Sequence, residues 1–437
     1  MLAATATATA AGVAVPTLIN LGRVAAPGSA KPAGSPSAAA PYTPAQVETA
    51  YEDNAISFNG VVGNGAGQTI AIVDAYNDPS IVSDTATFNT RFGLPQFNAG
   101  GPTLQVLNQT GGTTLPMNTN TTVGDWDLEE SLDVQWAHAM APQANIILFE
   151  SNTANDPDMD QAEVTAAGWA GVSVISNSWG EGEFSGETSE DSSFVTPTGH
   201  QGVTFLASSG DSGTPAGYPA YSPSVVAVGG TNLQIQSGGG YISESAWSSG
   251  GGGISTVEGI PSYQSGLNGI NGASKTFRNV PDVSADADPN SGVYVYDTWN
   301  EGQGGGYFRV GGTSLSSPLW SGFIAIANQG RALAGEATLN GYTQTLPMLY
   351  SLPSSDFHDV TGGSNGTYSA APGYDLATGR GTPIANLLVP ALAGYGTTPP
   401  SVSGPATGAV IENSTLTFST SNSNAMTVTD LFSAGNP

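Results

Sequence analysis

Residues 67–75 read GQTIAIVDA, a short apolar run entered through glycine and closed by an acidic residue. Residues 70–73 are apolar without alternation, the pattern of a strand buried on both faces, as in parallel sheets. Further strand candidates follow at 104–107, 146–149, 172–175, 203–207 and 225–228, and helix candidates at 85–92, 128–142 and 159–170 lie between them. Strands alternating with helices predict an α/β fold, a parallel sheet flanked by helices on both faces. The unit so defined, residues 42–394, is large for a single core but within the range of α/β enzymes.

The segment 128–142, LEESLDVQWAHAMAP, repeats Leu128, Leu132, Trp136 and Met140 at every fourth position and ends on a proline, which predicts an amphipathic helix. Glu129 and Asp133 are also four apart, so their carboxylates share one face of it. That arrangement repels and mildly destabilises a helix. It is either a solvated acidic face or a proton-sharing pair in which one group acts as base and the other orients it.

Residues 311–318, GGTSLSSP, put Ser314 at the sharp entry to a helix continuing through Trp320 and Ile326. Free N–H groups and the positive end of the helix dipole would lie beside that hydroxyl, and Pro318 fits a first turn. This is a capping loop or the mount of a nucleophile. A serine needs a base, commonly histidine. The chain has three: His138 in AHAMAP, His200 in TGHQGVT and His358 in SDFHDV. None has the glycine-flanked setting of a subtilisin histidine, so the base of a catalytic Ser314 should be a carboxylate. A further acid, Asp211, ends the strand-and-turn segment VTFLASSGDSG, where plain turn chemistry is the competing explanation. Asp359 and Asp375 flank a glycine-rich stretch, FHDV to PGYDLATG, whose oxygen donors suit calcium.

These motifs together resemble the sedolisins, or serine-carboxyl peptidases, acid-acting relatives of subtilisin. The likeness covers residues 42–392. Glu129 and Asp133 match the family's ExxxD pair; using Asp125 and Glu129 instead would break the register of the following strand. The resemblance implies Glu129 as base, Asp133 orienting it, Ser314 as the acylated nucleophile and a protonated Asp211 donating to the oxyanion. It implies one calcium ion held by the carboxylates of Asp359 and Asp375 and the carbonyls of Val360, Ala371 and Gly373. It further implies that the backbone of Ser178, Trp179 and Gly180 binds polypeptide substrates as an added strand, with Asp74 extending the carboxylate network. Gly311, where many members carry serine, and Ala371, often glycine, are departures. Glu129 must lose a proton while Asp211 keeps one, which unperturbed carboxyls near 4 allow only in acid, so a bell-shaped rate profile centred below pH 7 is expected. Two rival readings are a histidine-dependent subtilase and a non-catalytic surface protein serving adhesion.

Composition agrees. A formal charge of −27 with eight Lys plus Arg is largely neutralised in acid and argues against nucleic acid or anionic membrane as a partner. With no cysteine, disulfides and thiol catalysis are excluded. No run approaches the length of a membrane span. Residues 1–41 are an Ala/Thr/Pro/Gly/Ser tract expected to be flexible; VAVPTLINL within it is too short and interrupted for a secretion signal, so an extracellular location rests on the enzyme class. The resemblance also implies a long folded prodomain, which the residues before Tyr42 are expected not to supply. Residues 395–409 read as a linker and 410–437 as the incomplete start of a cadherin-like β-repeat, leaving a monomeric catalytic domain as the expected working unit.

Overall fold

The computed structural model describes residues 12–27, 40–119, 124–299 and 305–394, with two short strands at Ser401–Ser403 and Thr427–Thr429. Numbered along the chain, the elements that matter for the site begin with β1 (Ile19–Val24), β2 (Thr69–Ala75), α1 (Ile81–Phe92), β3 (Leu104–Asn108) and α2 (Trp126–Met140). They continue with β4 (Asn145–Ser151), α3 (Asp156–Ala167), β5 (Val172–Asn177), β6 (Thr204–Ser208), β7 (Val225–Ile235) and β8 (Tyr241–Ala246). The last are β9 (Val283–Asp286), β10 (Val293–Asp297), β11 (Gly306–Gly311) and α4 (Thr313–Leu333).

Eight strands form the central sheet in the order β8-β7-β6-β5-β2-β4-β3, with β9 also paired to β7. All these pairings are parallel except that of β7 with β8. The strand expected at 70–73 is therefore central, and the other five candidates are present as β3 to β7. The helix expected at 159–170 stops at Ala167, where Gly168 caps it.

Alternation along β2 divides the interior in two. Ile70 and Ile72 pack with α2 and α4 on one face, while Ala71 and Val73 pack with Met159, Ala162 and Ala166 of α3 on the other. Helices therefore cover both faces, as a parallel sheet requires. One correction concerns α2, which is not amphipathic: every residue from Trp126 to Met140 is buried. Its acidic pair thus faces protein, and the solvated-face explanation falls.

The N-terminal tract also departs from expectation. Residues 12–27 are ordered against the domain: β1 pairs antiparallel with β11 and extends β10 and β11 to a three-stranded sheet. Just upstream, Val15–Pro16 pairs antiparallel with Trp179–Gly180. The linker and β-repeat expected after residue 394 lie mostly outside the described residues; Ser401–Ser403 and Thr427–Thr429 pair antiparallel. Among the described residues no helix is long and apolar enough to cross a membrane.

Candidate active site

Asp74 lies in β2, Ser178 and Asp211 lie just past β5 and β6, and helices α2 and α4 bring Glu129, Asp133 and Ser314 to the same place. The serine is the second residue of α4, and its N-cap, Gly312, has φ +111°, a conformation open to glycine and strained for other residues. A Cβ at Gly312 would overlap the Thr17 carbonyl oxygen and lie 2.6 Å from Asp211 Oδ2. Gly311 is equally confined, since a Cβ there would sit 2.6 Å from the Pro289 backbone. A serine at that position would clash, which accounts for the departure in the motif.

Ser314 is fully buried, and its Oγ donates to Glu129 Oε2 at 2.9 Å. The same oxygen lies 3.0 Å from the Ser178 carbonyl and 3.0 Å from Thr17 Oγ1. The three histidines are engaged elsewhere. His138 Nε2 bonds the Pro95 carbonyl, and burial pushes the ring down to about 4. His200 bonds the carbonyls of Gln201 and Trp169, and His358 stacks on Tyr241.

The neighbours of Glu129 are other acids. Burial drives its carboxyl well above the ordinary range, and the facing charges of Asp133 and Asp74 drive it further. Asp133 is raised in the same way, first by burial and then by Asp74. Glu129 Oε1, Asp133 Oδ2 and both oxygens of Asp74 are buried without a hydrogen-bond partner. Three carboxyls so close and so dry cannot all be ionised; they hold protons among them. Asp125, the shifted alternative, is exposed at the N-cap of α2.

Ser178 ties this group to the nucleophile. Its Oγ lies 2.7 Å from Asp133 Oδ1 and 3.2 Å from the carbonyl oxygen of Ser314. That carbonyl is available because its helical partner, four residues on, is Pro318, which has no N–H. Pro318 is thus inside α4 rather than in the first turn. One hydroxyl hydrogen serves one acceptor, so both contacts are satisfied when a protonated Asp133 donates to Ser178 and Ser178 donates to Ser314.

Asp211 stands on the far side of Gly312. Its Oδ1 accepts from the N–H and Oγ1 of Thr313, both at 2.8 Å, while Oδ2 is hidden from solvent without a partner. Burial pushes it up to about 7 against the pull of Thr313. A second donor points into the same space, the Ser314 N–H, which bonds the Thr17 carbonyl at 3.0 Å. Trp179 is buried, its indole N–H bonding the Val73 carbonyl at 2.9 Å, and its backbone and that of Gly180 pair with Pro16 and Val15. The indole is thus packed in the interior, and the backbone beside it takes an antiparallel partner from the chain's own residues 15–16.

A sequence profile of the subtilase family matches residues 112–346, more than half of the chain. The chain belongs to the subtilase family. Within it the resemblance to the sedolisins is upheld. Kumamolisin from Bacillus sp. (strain MN-32) is 33% identical over 384 residues, covering 80% of this chain and 63% of its own length. Sedolisin from Pseudomonas sp. (strain 101) is 29% identical over 377 residues, covering 78% and 59%. This subtilase thus spans roughly three fifths of the length of those relatives. The structure of Pseudomonas sedolisin, a serine-carboxyl proteinase complexed with two molecules of pseudo-iodotyrostatin, superposes with a TM-score of 0.67 at 28% identity, covering 82% of this chain and 98% of that one.

The loop expected to hold calcium carries Asp359 and Asp375, both bonded to its backbone. Asp375 is buried and accepts from the N–H groups of Ala371, Ala377 and Thr378; the exposed Asp359 accepts from the N–H of Gly373. Both acids therefore grip one short loop. Asn271 takes the carbonyls of Pro372 and Tyr374, not those of Ala371 and Gly373 assigned to the ion. This all-oxygen set fits calcium. Two other acidic groups are close enough to share a metal, Asp78 with Asp84 and Asp297, and Asp156 with Glu181 and Glu190. The sequence reading missed Thr17, the Ser178 hydroxyl and Thr313; the last two lie within segments it had singled out, 178–180 and 311–318, whereas Thr17 lies in no motif.

Proposed function

We propose that this subtilase is an acid-acting serine-carboxyl endopeptidase that hydrolyses polypeptides through an ester on Ser314. The observation that carries the reading is the 2.9 Å hydrogen bond from Ser314 Oγ to Glu129, among buried acids and with no histidine bonded to the serine among the described residues. A substrate chain lies along Ser178, Trp179 and Gly180 as an antiparallel strand. Ser314 Oγ attacks its carbonyl carbon as Glu129 takes the proton, with Asp133 holding the dyad in register through Ser178. Charge growing on the carbonyl oxygen is met by the Ser314 N–H and by neutral Asp211. Glu129 then returns the proton to the departing amine, and water repeats the sequence to release the acyl group.

Asp211 can donate only while protonated, so with its value raised to about 7 the rate falls as pH climbs through neutrality. One calcium ion on Asp359, Val360, Ala371, Gly373 and Asp375 would neutralise the two acids and tie the loop to the domain. An extracellular site of action and a monomeric catalytic domain complete the proposal, drawn from the enzyme class.

The test is hydrolysis of an unfolded protein between pH 2 and pH 8 by the native chain and by Ser314→Ala and Glu129→Gln. Acid activity is expected from the native chain, a loss to background in the serine variant and a loss of roughly 10²–10⁴ in the other. Acid activity surviving both substitutions would overturn the assignment.

A further inference from the structure

A second group of acids gathers where the loop leaving β2 meets α1 and β10. Asp78 sits in that loop, Asp84 in the first turn of α1 and Asp297 at the end of β10. Asp78 and Asp84 are 1% and 2% exposed, and Asp297 is fully enclosed. One oxygen from each lies within 4.8 Å of those of the other two. Among the described residues no Lys, Arg or His is bonded to any of them.

Local turns account for only part of each carboxylate. Asp78 Oδ1 accepts from the N–H and hydroxyl of Ser80 at 2.7 and 2.8 Å, and Asp297 Oδ1 accepts from the Trp299 N–H at 3.3 Å. Asp84 Oδ2 accepts from the Thr298 N–H at 2.7 Å, which ties α1 to the residue after Asp297. An asparagine would make the bonds to Ser80 and Trp299 equally well. What a carboxylate adds at 78 and 297 is Oδ2, and in both residues that oxygen is hidden from solvent without a partner. Two such oxygens beside a third acid demand a positive counterpart; without one, burial and the facing charges of Asp78, Asp127 and Asp84 push Asp297 up to about 9. The other acidic group, Asp156 with Glu181 and Glu190, makes no such demand, since it is partly open to solvent and a Glu181 oxygen takes the Gly12 N–H.

Oxygens at this spacing can all touch one ion about 2.4 Å from each, the bond length of calcium, which takes six to eight hard oxygen ligands in a flexible shell. Magnesium demands a near-ideal octahedron at about 2.0–2.1 Å, which a loop, a helix and a strand end are less suited to supply. We propose that Asp78, Asp84 and Asp297 hold a calcium ion of their own, in addition to the one assigned to Asp359 and Asp375, with water or backbone oxygens completing its shell. The ion joins the loop after β2, α1 and the end of β10 at a single point. It also braces the helix that carries the base, because the Asp78 N–H bonds Glu130 Oε2 at 3.1 Å and Glu130 adjoins Glu129.

The experiment dialyses the full chain against calcium chloride at pH 7, where carboxylate ligands can give up their protons, and counts bound ions by elemental analysis. The native chain should hold two ions, and Asp78→Asn and Asp297→Asn one each. Both variants keep the Oδ1 acceptor of their turns, and circular dichroism checks that they fold. If they bind as many ions as the native chain, the inference fails and the loop of Asp359 and Asp375 is untouched. A native chain with a single ion that Asp78→Asn loses and Asp359→Asn keeps would uphold this site and remove the other. Uptake of magnesium but not calcium would overturn the choice of ion. A second readout alters no ligand: terbium bound in place of calcium is excited through nearby indole rings, and Trp299→Phe, two residues from Asp297, should dim its emission. Emission equal to that of the native chain would overturn the site even if the asparagine variants misfold.

Discussion

Asp211 is the residue whose chemistry is most exposed to test, because a carboxyl group and an amide of the same shape donate under different conditions. Burial raises it to about 7, so its donor hydrogen is present below that value and lost above it. Asp211→Asn keeps a donor at every pH, and its activity should persist on the alkaline side where the native rate falls. Asp211→Ala removes the donor and should lower kcat by about 10²–10³ at the optimum. If the asparagine variant keeps the native alkaline limb, another group sets that limb and the oxyanion role is lost. Of the residues in this site, Ser314, Glu129, Asp133 and Asp211 were legible because each sits in a short motif with its own local geometry: a glycine turn into a helix, an i,i+4 pair, a strand end. Thr17 was not. Nothing local in VPTLI distinguishes a strand bound in a cleft from a loose tract, since its partners are 161 and 297 residues away.

At the scale of the element, α4 carries a proline where a helix ordinarily carries a donor, and the vacancy is used. Pro318→Ala would return an N–H facing the Ser314 carbonyl, in competition with the Ser178 hydroxyl now 3.2 Å from it. The helix should hold or gain stability while kcat falls several-fold with KM little changed. Ser178→Ala should do more. It strips the Asp133 carboxyl of its acceptor and the Ser314 carbonyl of its donor, and a buried polar group left unpaired costs about 1–3 kcal/mol, which read as transition-state positioning is roughly 10- to 100-fold in kcat. Steady-state kinetics beside a melting curve separates the two effects, and a Pro318→Ala enzyme with native kcat would refute the link. Helix α2 teaches the reverse lesson. Its four-residue spacing was read as one apolar stripe, yet α2 is enclosed on every side. Spacing reveals which residues share a face, but not what that face meets.

Across the whole molecule, buried acids outnumber buried bases among the described residues, and this has a thermodynamic consequence. Burial pushes Asp78 up to about 6, Asp74 to about 8, and Glu150 and Asp297 to about 9. Each is higher in the fold than the ordinary value near 4, so the fold favours the protonated form. Their contribution to stability is fully present below about pH 4 and is lost as pH rises through the folded values, from about 6 to about 9. Thermal unfolding followed by circular dichroism should therefore give its highest Tm in acid and a fall of roughly 10 °C or more between pH 5 and pH 9. A Tm that rises over that interval would contradict the protonated interior. Among the described residues one buried cation breaks the pattern. Arg278 bonds Asp282 at 2.6 Å with both side chains fully enclosed, and Asp282→Asn would leave that cation unpaired at a cost of about 3–5 kcal/mol, measurable by urea unfolding.

What the sequence determined by itself was the set of parts: the order of strands and helices, the serine turn, the acidic pair, the loop suited to calcium and an acid-tolerant composition. These are local properties, written in runs of four to fifteen residues where propensity, periodicity and turn chemistry act. Only the tertiary structure decided that the acids are buried together and share protons, that Pro318 frees a carbonyl for Ser178, and that residues 12–24 lie in the cleft with Thr17 at the nucleophile. Each of these depends on which distant surfaces meet, and burial, dielectric and long-range strand pairing are set by that meeting rather than by neighbours in the chain.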